Sequence, residues 1–68
     1  MDKRETYEFL KKKYGRLLIT QQEAMAEIDV KINTMLKLRK TGEIKSKMVG
    51  GRAMINIGDL ASYITDTY

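Results

Sequence analysis

TQQEAMAEIDVKINTMLKLRKTG, residues 20–42, decides how this chain is read. It opens with a helix-starting signature. The Thr20 hydroxyl can accept the Glu23 amide while the Glu23 carboxylate reaches back to Thr20, which satisfies two amides that a helix start leaves bare. Ile19, one residue earlier, is placed for a hydrophobic staple against Ala24. A helix is predicted from Gln21 to about Ile28, with Ala24, Met25 and Ile28 facing inward. Asp29 and Val30 then break the pattern, with neither glycine nor proline to mark the place. Helical periodicity resumes from Lys31 to Lys40, with Met35 and Leu38 inward beneath Val30, and Gly42 follows as a C-cap. Two short helices joined by a turn of a few residues make a helix-turn-helix. The first is too short to stand alone, so tertiary packing must hold it.

Working outward, KMVGGRAMI at 47–55 places two adjacent glycines between short apolar runs, the mark of a tight β-hairpin. Its strands are predicted at Ile44–Val49 and Ala53–Ile57, with Met48 or Val49 opposite Ala53 or Met54. A lone hairpin is barely stable in water, so this one must lean on the helices. Asn56 with Asp59 three residues on predicts another N-cap. Leu60, Ala61 and Ile64 then extend a helix to about Thr65. On the other side of the central stretch, Asp2 and Glu5 form a cap pair, and Tyr7, Leu10 and Tyr14 recur on one stripe. Gly15 closes an amphipathic helix over 3–14 that carries Lys11, Lys12 and Lys13 on its opposite face. The expected order is helix, helix, helix, hairpin, helix, without repeats or linkers.

Sixty-eight residues make one small domain, with little room for a substrate pocket. The chain has no cysteine and no histidine, which removes thiolate chemistry, the commonest zinc ligands and the commonest general base. No acidic cluster has calcium-loop spacing. The composition therefore points away from an enzyme, and no cofactor is implied. The segment MDKRETYEF lacks a signal-peptide core, and no uncharged run approaches the ~20 residues that span a bilayer. A cytoplasmic protein that does not enter membranes is expected.

The net charge is +4, and its distribution says more than its size. Residues 31–52 hold seven Lys or Arg against the single acid Glu43, whereas residues 17–30 and 53–68 hold acids and no bases. A basic block of this kind suits a polyanion, nucleic acid first. It also suits a merely solvated surface.

From Leu17 to Ile64 the pieces LLITQQEA at 17–24, Val30, Thr34, GEI at 42–44, VGGR at 49–52 and DLASYI at 59–64 stand in a familiar order. In this the chain resembles the excisionase-type (Xis/AlpA-like) helix-turn-helix family, a small winged-helix group related to the DNA-binding domains of MerR regulators. It departs from the family pattern at Asp29, at Lys31-Ile32, at Leu36 and at Ala53-Met54, and it adds the helix over 3–14. The resemblance implies a mainly α fold with a small β-hairpin, a winged helix-turn-helix over 17–66; the additional amphipathic helix of 1–16 is expected to pack on it. It implies a protein of a mobile element such as a phage, one that binds double-stranded DNA and acts in recombination as a directionality factor or in transcription as a small regulator. It implies that helix 31–40 enters the major groove and that the wing, 45–55, touches the backbone or minor groove. The partners implied are double-stranded DNA, an integrase or other DNA-bound protein, and further copies of the chain on direct repeats.

The chemistry distributes roles as follows. Asn33 can bond an adenine edge and Lys37 a guanine edge, and Ile32 and Leu36 can meet thymine methyls. Ile32 and Leu36 can equally form a protein-contact patch. Lys40 sits on the same outward face, and Arg39 is assigned to the flank. Thr34 either touches a phosphate or bonds back to its own helix. Lys31, Lys45, Lys47 and Arg52 are phosphate candidates, with Arg52 also able to reach into a narrow minor groove. Gly50 and Gly51 permit the tight turn and a close approach to the duplex. Lys11–Lys13 offer either a third contact or a wet face. The alternative to DNA binding is a protein-interaction module or antirepressor using Ile32, Leu36 and the N-terminal helix.

Overall fold

A computed structural model describes residues 2–67. In chain order the elements are α1 (Lys3–Tyr14), β1 (Leu18–Thr20), α2 (Gln21–Ile28), α3 (Ile32–Thr41), β2 (Lys47–Val49), β3 (Arg52–Asn56) and α4 (Ile57–Thr67). Both capping boxes form. Asp2 Oδ1 accepts the Glu5 amide at 2.8 Å, Thr20 Oγ1 accepts the Glu23 amide at 3.1 Å, and each glutamate reaches back to its cap residue. The pause between α2 and α3 is made by Asp29, which adopts φ 54 and is the one non-glycine with positive φ among the described residues. Aspartate tolerates this left-handed backbone better than most residues, which is why the break needs no glycine. α3 runs one residue later at each end than the expected 31–40, with Lys31 as its N-cap and Gly42, φ 82, as its C-cap.

Three strands form one antiparallel sheet in the order β1-β3-β2. The hairpin turn has Gly50 at φ 58 and Gly51 at φ 79. Two consecutive positive φ values are what a type I′ turn needs and what glycine supplies without steric cost. The register puts Met48 opposite Ala53 and Val49 opposite Arg52. The strands are shorter than expected at one end. Ile44 does not join β2; its amide bonds the Leu38 carbonyl at 3.2 Å and its side chain is fully buried, so it closes the end of α3. Ile57 begins α4 instead of ending β3, and the Asn56 side chain accepts the Gly58 amide at 2.7 Å as the predicted cap. The strand β1 was not expected at all. Leu18–Thr20 pairs with β3, setting Ile19 against Ile55, and the Ile57 amide bonds the Leu17 carbonyl at 2.8 Å.

The core lies between the sheet and the helices. Leu10 of α1, Ile19 of β1, Ala24 and Ile28 of α2, Met35 and Leu38 of α3, Ile44, Ile55 of β3, and Ile57, Leu60 and Ala61 of α4 form one buried cluster. Burying a large aliphatic side chain stabilises by about 1.5–3 kcal/mol. Tyr7, Tyr14, Met25, Val30, Tyr63 and Ile64 pack at its edge. α1 packs chiefly on α4, through Leu10 and a buried Thr6 whose hydroxyl donates to the Asp2 carbonyl at 2.9 Å. Among the described residues, no helix is long and apolar enough to cross a membrane.

Candidate nucleic-acid interface

Burial of Met35 and Leu38 fixes which way α3 faces. With 3.6 residues per turn, the rest of the helix divides into stripes. Asn33, Lys37 and Lys40, at i, i+4 and i+7, point directly away from the core and are exposed. Ile32, Leu36 and Arg39 form the adjoining stripe. Ile32 and Leu36 are about half exposed, at 46% and 47%. Lys31 and Thr34 are exposed as well. Of the two roles open to Thr34, the bond back to its own helix is not made; Thr41 makes one instead, donating to the Leu38 carbonyl at 3.2 Å. No acid lies in the first turn of α3, and Lys31 provides no side-chain cap.

The edge strand β2 and the turn of the hairpin stand clear of the core, whereas β3 places Ile55 in it. Lys47, Met48 and Val49 of β2 are all exposed, as are Gly50, Gly51 and Arg52. Met48 at 62% and Val49 at 44% are apolar side chains held in solvent; the sequence marked them only as a cross-strand pair. Lys45 is exposed like its neighbours. It lines an open groove with Glu43, Asp59 and Asp66, against the acidic side of α4.

One side chain ties the helix to the hairpin. Arg39, in the last turn of α3, donates from Nε to Ser46 Oγ at 3.0 Å and from Nη1 to Gln21 Oε1 at 2.6 Å. Ser46 immediately precedes β2, and Gln21 is the buried first residue of α2. Arg39 thus links both helices and the root of the hairpin. The flank position given to it from the sequence was right in direction but missed this role. Its spacing from Met35 marks a residue at the core edge, but nothing local announces that Gln21 lies opposite.

Charge is handled unevenly. Lys13 Nζ lies 2.5 Å from Glu27, and Arg16 lies 2.5 Å from Glu23. The Tyr14 hydroxyl also donates to Glu27. Burial pushes the Glu27 carboxyl up, but hydrogen bonds from Lys13 and Tyr14 and the lysine charge more than offset it, and the net shift is downward. Glu23 is lowered by the Thr20 amide first and the Arg16 guanidinium second. Burial, then the bond to Glu27, raises the Tyr14 phenol above its ordinary range. Lys13 also lies 5.9 Å from the Phe9 ring centre. Of the Lys11–Lys13 run, then, one member is committed internally. By contrast, none of the seven cations of residues 31–52 forms an ion pair among the described residues. The one acid of that block, Glu43, accepts a hydrogen bond from Thr41 at 2.9 Å. Comparison with protein-family models, with curated proteins and with solved structures finds no match to this chain.

Proposed function

We propose that this chain is a winged helix-turn-helix protein that binds double-stranded DNA, with α2 and α3 as the helix-turn-helix and the β2–β3 hairpin as the wing. The observation that carries the reading is the unpaired state of the seven cations in residues 31–52, on elements that Arg39 fixes relative to one another. Like charges gathered without counter-charges destabilise a small fold through self-repulsion. A polyphosphate backbone relieves that repulsion on binding and releases counterions. α3 presents Asn33, Lys37 and Lys40 toward base edges in the major groove, where Asn reads adenine and Lys reads guanine. Lys31, Lys47 and Arg52 meet phosphates, with Arg52 at the rim of the minor groove. Lys45, exposed ahead of β2, is a further phosphate candidate. The resemblance to excisionases supports a mobile-element protein with integrase or transcription control as its context, and the absence of cysteine fits the cytoplasm.

The test is a salt titration on duplex DNA. A protein making about six phosphate contacts loses affinity with a log–log slope near −5. Selection of genomic fragments with purified protein, followed by footprinting, then defines the site. An integrase gene beside the coding sequence favours excision over regulation.

A second reading is supported by the exposed apolar side chains Ile32, Leu36 and Phe9: a protein-interaction module or antirepressor. Absence of duplex binding at ~50 mM salt together with capture of a protein partner selects it. Under the DNA reading, Ile32→Ser and Leu36→Ser alter base preference at thymines. Under the other, they abolish capture of a protein and leave DNA out of account.

A further inference from the structure

We infer that Arg39 is a phosphate-binding residue whose guanidinium is held ready in the crease between α3 and the hairpin. The inference rests on the DNA-binding reading and adds to it a contact that charge and spacing alone did not select.

A guanidinium has five N–H donors in one plane and no acceptor. Arg39 uses two of them, on Ser46 Oγ and Gln21 Oε1, and both acceptors are neutral. The remaining N–H on Nη1 and the pair on Nη2 meet no acceptor among the described residues, and no carboxylate lies within ion-pair distance. Arg16 of the same chain gives the contrast: its Nη2 is 2.5 Å from the Glu23 carboxylate. Arg39 is also partly buried. A partly buried cation with neutral partners has lost some of its hydration and has received no counter-charge in exchange.

The two bonds do more than satisfy Gln21. They restrict rotation about the side chain and aim its free edge. A phosphodiester presents two anionic oxygens at the spacing of the guanidinium fork, and two parallel N–H···O bonds to it are stronger and more directional than a lysine contact. Arg39 lies between a helix assigned to the major groove and a hairpin assigned to the flanking backbone. A phosphate received there fixes the register of both elements with one contact. Arg39 would thus position the protein without reading sequence.

The experiment measures the salt dependence of binding to a mixed-sequence duplex of about 20 base pairs for wild type, Arg39→Gln and the pair Gln21→Ala/Ser46→Ala. Arg39→Gln is expected to weaken binding to all duplexes alike and to make the log–log slope shallower by about 0.9, the value of one phosphate. Gln21→Ala/Ser46→Ala leaves the charge but not its aim, so affinity falls while the slope is kept. A folded Arg39→Gln protein with the wild-type slope overturns the inference while leaving the DNA reading intact. Wild-type protein that does not bind the duplex at ~50 mM salt overturns both. Should Arg39→Gln fail to fold, wild-type protein answers the same question. Its Arg39 guanidinium NMR signals shift and sharpen on adding the duplex if a phosphate locks the fork, and unchanged signals overturn the inference.

Discussion

The two halves of this molecule treat charge in opposite ways. Where α1 and its following loop meet α2, Lys13 pairs with Glu27, Arg16 pairs with Glu23, and Tyr14 completes the cluster. Across residues 31–52, seven cations have no carboxylate partner among the described residues, and Arg39 is tethered there by neutral groups. The first arrangement neutralises two of the six cations of residues 1–16, and the worth of those pairs is structural; Lys3, Arg4, Lys11 and Lys12 form no ion pair among the described residues. The second leaves its surplus facing outward, and a surplus of one sign is a cost to folding that an anionic partner removes. Charge count alone does not separate these cases, because residues 1–16 carry six Lys or Arg themselves. What separates them is which cations find a partner in the fold.

The contrast makes predictions that differ in size. The largest concerns the element that supports both halves. Ile55 of the central strand β3 is fully buried, and Ile55→Ala should destabilise the protein by about 2–5 kcal/mol in urea unfolding. Val49→Ala on the exposed edge strand of the same hairpin should stay within about 0.5 kcal/mol of wild type. Equal effects would mean that β2 is packed as closely as β3 and does not project from the core.

Next come the outward cations. Lys37→Ala should cost about 1–3 kcal/mol at one base position of a footprinted site and relax specificity there. Arg52→Ala should weaken every site alike and make the salt slope shallower by about 0.9. Neither change should lower the unfolding midpoint, since neither side chain has a partner in the fold. Wild-type binding by both variants would refute the docking proposed for these elements.

Glu27→Gln probes the other half. It replaces the carboxylate shared by Lys13 and Tyr14 with a neutral amide whose oxygen can still accept, and should destabilise by about 1 kcal/mol while leaving duplex affinity unchanged. A change in DNA binding with no change in stability would invert the contrast. Acid should act on the same cluster. Glu23 and Glu27 titrate below the ordinary 4.5. Their contribution is therefore complete above that pH and is lost as pH falls through their folded values, when the unfolded chain binds protons first. Tyr14 is shifted up from 10.0, so its contribution is complete below pH 10 and declines above it, where the unfolded chain ionises first. Stability measured against pH should fall at both ends, and Glu27→Gln should flatten the acid limb.

The smallest effect is expected at Asp29. Asp29→Gly relieves a left-handed backbone at φ 54 but adds unfolded-state freedom, so the net change should be a gain of about 0.5 kcal/mol. It also removes an acid beside the start of α3, and duplex affinity should rise slightly.

Much of the fold was legible from local signals. Capping boxes at Asp2–Glu5 and Thr20–Glu23, the glycine closures at 15 and 42 and the Gly50-Gly51 turn each act over four residues or fewer, and each formed as expected. β1 was not legible. Three residues with no alternation carry no strand signal, and Leu18–Thr20 becomes a strand because β3 offers its edge. Ile44 looked like strand and became the buried closure of α3, because the Leu38 carbonyl competes for its amide. For the candidate site, the basic block and the outward face of α3 could be read along the chain, but the linking role of Arg39 could not.

Residue order alone determined where helices start and stop, where the chain turns back, and that positive charge gathers in residues 31–52, since capping, turn geometry and composition are properties of neighbours. Tertiary structure alone decided which charges are neutralised and which remain for a partner. Ion pairing depends on which distant side chains the packed core brings within a few ångströms, and here it brought Glu23 and Glu27 to Arg16 and Lys13 and no carboxylate to Arg39.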